Sequence, residues 1–481
     1  MQLAEALVTI ESGPSGPEVG AFFDFDGTVM DGLSAVAFYR ERLRSFDIGP
    51  REAAQTLLTG LRGTTTEQDF ERFVAISFAA WAGRTAEELS ELGERLFVQH
   101  IASRVFPEVW QLVRAHQRAG HTVVLASSAT RFQVEPAARA LGVPHVLCTE
   151  LEIVDGTLTG RAGGPTLWRN GKAAAVRTFA AAHGVRLADS YAYSNGGEDV
   201  PFLSSAGSPR AVNPEDRLDA VARDKGWPVL RFAARGRPGA VQLARTVGAY
   251  SAAIGAMGTG LGLGLLNRSR RRGVDTTATL LGELSLAVAG VDVDVQGEEH
   301  LWNARPAVFL FNHQSQLDLL LLCKLLRSGF TGVAKASLAK DPVFGVLLRA
   351  AGTAFLDRTS TEKAIQALQP AVEQLRSGIS LAVAPEGTRS PTPELLPFKK
   401  GAFHFAVQAQ VPIVPIIIRN AGELMWRDSK TIRPGTVDVV VAPAVHTRGW
   451  TAVDVDRAVT DVRQTYLDTL ADWPRRDRSR A

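Results

Sequence analysis

The sequence predicts an α/β protein of two domains joined by an apolar helical linker, and three observations carry that prediction. At 481 residues the chain exceeds what a single compact core usually holds. Before Phe232 and again after Val308, short apolar runs alternate with helical stretches, the pattern of a mainly parallel sheet. Between Arg245 and Arg268 no residue is charged.

Composition narrows the class. Apolar residues make up 45% and charged residues 21%, which fits ordered globular protein rather than a disordered or collagen-like chain. A net charge of +3 gives no reason to expect nucleic acid as a partner. The two cysteines, Cys148 and Cys323, form no CxxC or Cys/His spacing, so a reducing compartment without structural zinc is expected. Residues 1–20 carry Glu5 and Glu11 and lack a basic start before an apolar run. They are expected as a flexible lead-in rather than a signal peptide, which places both domains in the cytosol.

The first domain, residues 21–232, opens with a short strand at Ala21–Phe23. Residues 32–105 hold long helical patterns without a convincing strand and predict a helical insertion. A helix over Glu108–Ala119, a strand at His121–Ala126, a helix to Leu141 and a strand at His145–Cys148 follow. Asp155-Gly156 between apolar residues predicts a hairpin, and strands at Tyr191–Tyr193 and Arg210–Val212 complete the domain. A linker spans 233–299. Its segment 246–267 has 22 residues, enough to cross a hydrocarbon core of roughly 20 apolar residues. Gly258/Gly262 and Gly260/Gly264 form GxxxG pairs suited to close helix packing. Arg268, Arg270, Arg271 and Arg272 suit a cytosolic face with anionic headgroups. A second apolar segment, 276–290, carries Glu283. The second domain, 300–450, predicts strands at Val308–Phe311, Thr331–Lys335, Ile379–Ala384, Ile413–Ile418 and Thr436–Ala442. Residues 451–481 predict an amphipathic helix and a basic tail. No internal repeat is visible.

The most specific feature is Asn312-His313-Gln314-Ser315-Gln316-Leu317-Asp318, directly after an apolar strand. Acyl transfer from a thioester needs a base for the acceptor hydroxyl proton. A neutral histidine near pH 7, oriented by a carboxylate, is suited to that task. Three further blocks follow in order: Gly352-Thr353-Ala354-Phe355-Leu356-Asp357-Arg358, Glu386-Gly387-Thr388-Arg389 and Val411-Pro412-Ile413-Val414-Pro415-Ile416. Together, over residues 300–450, they resemble the 1-acyl-glycerol-3-phosphate acyltransferase family. The resemblance implies His313 as general base, Asp318 as its orienting partner, and Arg358 with Glu386, Gly387, Thr388 and Arg389 at the acceptor. Pro415 and its neighbours would line the acyl side, and Lys335, Lys399 and Lys400 are candidates for coenzyme A phosphates or lipid. Arginine binds phosphate bidentately, and a glycine turn offers backbone N–H groups to an anion.

In the first domain, Phe23-Asp24-Phe25-Asp26-Gly27-Thr28 puts two carboxylates at a strand end. One can attack phosphorus while the other protonates the leaving oxygen. Ser127 after a strand, Lys172 at a helix start, and Asn195 with Asp199 after another strand complete a set. The set resembles the phosphoserine-phosphatase-like branch of the haloacid dehalogenase superfamily, a Rossmann-like fold with a helical cap. The resemblance implies Asp24 as nucleophile, Asp26 as general acid/base, and Ser127 and Lys172 as phosphoryl ligands. It also implies Mg²⁺ held by Asp24, Asp26, Asn195 and Asp199. The branch usually has aspartate at the position of Asn195, so an active Mg²⁺-dependent phosphatase and a degenerate regulatory domain both stand as readings.

The sequence thus predicts a bifunctional enzyme of phospholipid synthesis on the cytoplasmic face of the cell membrane. It would take an acyl thioester, from coenzyme A or acyl carrier protein, and a lysophospholipid acceptor. A helical pair or hairpin dipping into one leaflet keeps both domains cytosolic; a single span and a soluble hairpin are the alternatives. Another lysophospholipid or glycerol 3-phosphate is the alternative acceptor.

Overall fold

The computed structural model describes residues 1–44, 66–232, 238–336, 352–356 and 369–474, with positions 339, 345, 348 and 349. It divides into two compact units, Met1–Arg237 and Pro238–Ala481.

The first unit is built on a six-stranded sheet in the order β3-β2-β1-β6-β7-β8. These are His145–Thr149, Thr122–Thr130, Gly20–Phe23, Tyr191–Ser194, Ser208–Val212 and Val229–Leu230, all paired in parallel. A strand covered on both faces must be apolar throughout rather than alternating, and every residue of β1 is buried. The chain builds outward from β1 to β2 and β3 on one side and from β6 to β8 on the other. The order therefore reverses between β1 and β6, which opens a crevice at their carboxyl ends. Between β1 and β2 the described part of the insertion is helical: Ala35–Arg44, Glu67–Ala79, Ala86–Leu96 and a π-turn at Phe97–Ile101. The Asp155-Gly156 turn joins β4 (Leu151–Val154) to β5 (Thr157–Ala162) as an antiparallel hairpin.

The expected flexible lead-in is instead a helix, Leu3–Ser12, with a capping box between Gln2 and Glu5. Ala6 and Ile10, one turn apart, are buried and hold it to the core. A polar chain fixes the segment that follows. His121 Nε2 lies 2.8 Å from the Pro14 carbonyl oxygen, His121 Nδ1 2.8 Å from His116 Nδ1, and His116 Nε2 2.8 Å from Tyr193 Oη. A carbonyl only accepts, so His121 Nε2 must donate. Neutral rings then run one way: His116 Nδ1–H donates to His121, and the Tyr193 hydroxyl donates to His116.

The second unit carries a seven-stranded sheet in the order β12-β11-β13-β10-β14-β15-β9. In chain order these are β9 (Val291–Gln296), β10 (Val308–Phe311), β11 (Phe330–Lys335), β12 (Ala354–Leu356), β13 (Ser380–Val383), β14 (Ile413–Ile418) and β15 (Gly435–Val441). Only the β14–β15 pair is antiparallel. Strand β9 falls inside the expected linker, where its Val-Asp-Val-Asp alternation, half exposed at the sheet edge, gave no continuous apolar run. The tail helix, Val455–Ala471, packs on the same core, and its buried Tyr466 donates to the Leu310 carbonyl at 2.6 Å.

Helices Ala240–Leu266 and Arg270–Ala289 form an antiparallel hairpin that also belongs to this unit. A Cβ added at Gly260 would stand 1.9 Å from Thr277 Oγ1, and one at Gly264 would stand 3.2 Å from Gly273 Cα. Of the two GxxxG pairs, Gly260/Gly264 faces the return helix, whereas Gly258 and Gly262 face open space. Ala240–Leu266 is, among the described residues, the one helix long and apolar enough to cross a membrane.

Burial holds the pKa of His116 well below its usual value and that of His121 below it. Both rings are neutral in the folded state, and the unfolded chain takes up their protons below about pH 6.5. Stability from the relay is present above that pH and is lost as pH falls, by up to about tenfold in opening per unit and histidine. Hydrogen exchange of peptides covering residues 13–24 and 110–125, corrected for intrinsic rates, should therefore be faster at pH 5.5 than at 7.5. Equal protection at the two pH values would refute the relay.

Candidate functional site

In the first unit the sequence-predicted residues gather at the carboxyl ends of β1, β2 and β6. Asp24 follows β1, its N–H held by the Tyr193 carbonyl at 2.9 Å. Its buried carboxylate accepts from Lys172 Nζ at 2.8 Å and from Thr28 Oγ1 at 3.0 Å. Lys172, 3% exposed on the helix Asn170–His183, also donates to Asp199 Oδ2 at 2.6 Å, as does Ser194 Oγ at 2.7 Å. Asn195 Oδ1 lies 3.1 Å from the same Thr28 hydroxyl, whose single proton serves one of the two acceptors at a time. Gly27, at φ +78°, leaves room for that amide: a Cβ there would meet Asn195 Nδ2 at 2.3 Å. Ser127 is buried within β2, two residues past Leu125, the partner of Phe23 in the parallel register.

Asp26 is held differently. Its carboxylate takes the Ser34 N–H at 2.6 Å and the Ser34 hydroxyl at 3.1 Å, and Gln133 in turn donates to Ser34 Oγ at 3.0 Å. Burial pushes Asp26 up to about 6, the Ser34 bonds opposing it. Burial, with Asp199 adding to it and Lys172 opposing, pushes Asp24 up to about 7. Burial works against the charge of Lys172, yet Asp199 and Asp24 outweigh it and raise its pKa.

The donors suit a hard cation. Asp199 Oδ1 is buried without a hydrogen-bond partner, and Asp24 and Asn195 add a carboxylate and an amide oxygen, the all-oxygen set Mg²⁺ prefers. Among the described residues no three His, Cys, Asp or Glu side chains gather as a metal site; the amide oxygen of Asn195 is the third side-chain donor of this set.

In the second unit His313 follows central β10, and Asp318 stands in the first turn of the helix Leu317–Leu326. His313 Nδ1 is 2.8 Å from Asp318 Oδ2, which also accepts the N–H groups of Gln314 and Ser315, both at 2.9 Å. Asp318 is fully buried, while His313 keeps 27% of its side chain exposed, open to a substrate. Asn312 locks the strand end by exchanging two 2.7 Å bonds with Ile418.

Glu386, expected at the acceptor, directs both oxygens to backbone. Oε1 accepts the His313 N–H at 2.6 Å and Oε2 the Leu396 N–H at 2.9 Å. Burial pushes it up to about 7 against those two bonds. In the rest of its block Thr388 is exposed, and a Cβ at Gly387 would lie 3.3 Å from Lys399 Nζ, so that amine covers the turn. Arg389 donates to Asp428 at 3.0 Å. Arg358 lies outside the described residues.

Sequence reasoning missed Thr28, Ser34 and Gln133 as the scaffold of the first site, and the bond from Glu386 to His313. Thr28 was within reach, since it belongs to the Asp-Gly-Thr run. Gln133 lies 99 residues from the Ser34 it supports and left no pattern.

Comparison with known proteins finds a different family along each part of the chain. Residues 21–204 match the haloacid dehalogenase-like hydrolase family and residues 292–419 the Acyltransferase family. A phosphoserine phosphatase of Mycobacterium tuberculosis is 36% identical over 48% of this chain and 79% of its own. A 1-acyl-sn-glycerol-3-phosphate acyltransferase of Limnanthes alba is 34% identical over 40% of this chain and 68% of its own. One from Saccharomyces cerevisiae is 37% identical over 40% of this chain, which spans 65% of that relative's length.

Proposed function

Since the chain belongs to the haloacid dehalogenase-like hydrolases through its first unit and to the acyltransferases through its second, we propose a bifunctional enzyme of phospholipid synthesis. Its second unit would acylate lysophosphatidic acid to phosphatidic acid, from acyl-coenzyme A or acyl carrier protein. The observation that carries this reading is the 2.8 Å pair of His313 Nδ1 and Asp318 Oδ2 at the end of β10. Asp318 can only accept, so Nδ1 carries the proton and Nε2 is left as base. Nε2 takes the acceptor hydroxyl proton as oxygen attacks the thioester carbonyl. The C–O bond forms, the C–S bond breaks, and the imidazolium, steadied by Asp318, returns the proton to the leaving thiolate. Glu386 acts as a positioning residue for this turn, and Arg358 and Arg389 would bind the acceptor phosphate. With oleoyl-coenzyme A and lysophosphatidic acid, the detergent-purified chain should make phosphatidic acid, and His313→Ala should lose at least about a hundredfold in kcat. Equal rates would sink the assignment of the base.

The first unit reads as a phosphomonoesterase. Asp24 would attack phosphorus and Asp26 protonate the leaving oxygen; the elevated pKa of Asp26 supports the second role. Ser127 and Lys172 would bind the phosphoryl oxygens. Asp24, Asn195, Asp199 and the Asp26 carbonyl would hold Mg²⁺, which supplies positive charge to the transferring group. Phosphate release from p-nitrophenyl phosphate should require Mg²⁺ and vanish in Asp24→Asn. A wild type as silent as that variant would favour a degenerate regulatory domain.

A membrane partner is supported by the outer face of the helix Ala240–Leu266. Leu243, Val247, Tyr250, Ile254, Leu261 and Leu265 are all exposed at helical spacing. A surface of this kind marks a lipid or protein contact rather than a water-facing helix. The hairpin would lie in one leaflet on the cytoplasmic side. Leu243→Asp with Ile254→Asp should abolish co-flotation with phosphatidylglycerol vesicles; flotation of the double variant at the wild-type level would refute the docking face.

A further inference from the structure

The loop between β14 and β15 carries a charged arrangement that no motif singles out. Arg427 donates from Nη1 to the Arg389 carbonyl at 2.9 Å, and its Nε stands 3.8 Å from Asp428 Oδ2. Arg389 Nη2 donates to Asp428 Oδ1 at 3.0 Å. One carboxylate is thus shared by two guanidinium groups. The other terminal nitrogen of Arg389, Nη1, is buried and has no acceptor. A guanidinium holds five N–H donors in a rigid fork and suits an anion with more oxygens than one carboxylate offers.

Both segments are bonded to the turn of the base. Ser390 N–H donates to the His313 carbonyl at 2.7 Å, and Ser315 Oγ donates to the Met425 carbonyl. The arginine pair is therefore held in register with His313 by short connections through neighbouring residues. The three side chains differ in exposure: 24% for Arg389 and 26% for Arg427, but 64% for Asp428. The carboxylate is the solvent-side member and is free to swing into water. An exposed ion pair of this kind is worth only a factor of about 1.4 to 5 in an equilibrium, so its loss is easily offset.

We propose that Arg427 is a further phosphate-binding residue of the acceptor site, acting beside Arg389. Asp428 is its placeholder, an internal carboxylate that the acceptor's phosphate monoester displaces from Arg389 and Arg427. The inference rests on the acyltransferase reading of the second unit. A phosphate monoester brings nearly two charges and three acceptor oxygens, against one charge and two oxygens for aspartate. It can satisfy both guanidinium groups and the orphaned Nη1 together. An acceptor without phosphate, such as a monoacylglycerol, has nothing to exchange for Asp428, so the device also selects the acceptor's headgroup.

The test is steady-state acylation of lysophosphatidic acid and of monoacylglycerol by the full chain. Asp428→Asn keeps the shape of the side chain and tolerates the left-handed φ of 67° at this position. It should lower the KM for lysophosphatidic acid about two- to fivefold with kcat little changed. Arg427→Ala should raise that KM about tenfold or more, Arg427→Lys should recover part of the loss, and monoacylglycerol acylation should stay as in the wild type. A purely structural role for the loop would weaken both acceptors alike and could not lower a KM. Equal losses on both acceptors, or an unchanged or higher KM in Asp428→Asn, would overturn the inference. A wild type that acylates neither acceptor would fail the parent reading instead. In that case calorimetry with glycerol 3-phosphate decides: tighter binding by Asp428→Asn supports the placeholder, and equal affinity overturns it. The first unit is identical in both proteins and cancels from the comparison.

Discussion

A carboxylate taken out of water must find donors within its own fold, and both units are arranged around that requirement. The cost of an unsatisfied buried charge is several kcal/mol, so each buried acid dictates what surrounds it. In the first unit the solution is a second charge: Lys172 lies between Asp24 and Asp199 and is itself buried. In the second unit the solution is backbone: Asp318 Oδ2 gathers two N–H groups of the turn as well as His313. The difference matters for chemistry. A lysine beside Asp24 suits a site that handles phosphoryl charge, whereas a carboxylate held by amides leaves its attraction free for an imidazolium formed in passing.

The carboxyl ends of parallel strands make both solutions available. There the ladder stops and the chain turns, so backbone N–H groups are unpaired and side chains of adjacent strands converge. Central β1 and β10 each end on their reactive residues, and the neighbouring strand ends supply Asn195 and Glu386. Glu386 shows how far this goes. Its two oxygens join the His313 turn to Leu396, so the third sequence block supports the first rather than only serving the acceptor.

What the sequence disclosed follows from the same physics. Strands such as β10 and β14 are buried on both faces and read as unbroken apolar runs, so their limits agree with the sequence reading to the residue. Edge strand β9 has no such run and reads as linker, and short β12 inside its block leaves no strand signal. The helix Leu3–Ser12 was missed because its apolar residues are few and its signal is one of spacing. Asp24 and His313 are legible because they stand just past apolar strands, and Lys172 and Asp318 because each opens a helix, all of them patterns local in sequence. Gln133, Arg427 and Asp428 were not, since each acts on a partner brought near only by the fold.

The hairpin shows one sequence stretch serving two solvents. Gly260 faces the return helix at a distance that leaves no room for a side chain, and Gly264 approaches it closely, so that packing is set by absence. Leucine, valine and isoleucine line an exposed flank beside that seam. A helix core of a soluble protein would reverse this, with large residues inside. Small residues at a helix seam with large apolar ones exposed beside it is an arrangement lipid favours, because close backbone approach gains dispersion contacts while the apolar flank loses nothing by leaving water. Strand β9 begins two residues after the return helix ends and pairs with β15 over six residues, which fixes the root of the hairpin to the acyltransferase sheet. An apolar face held at the surface of a lipid would thus be rigidly continuous with the sheet that presents His313.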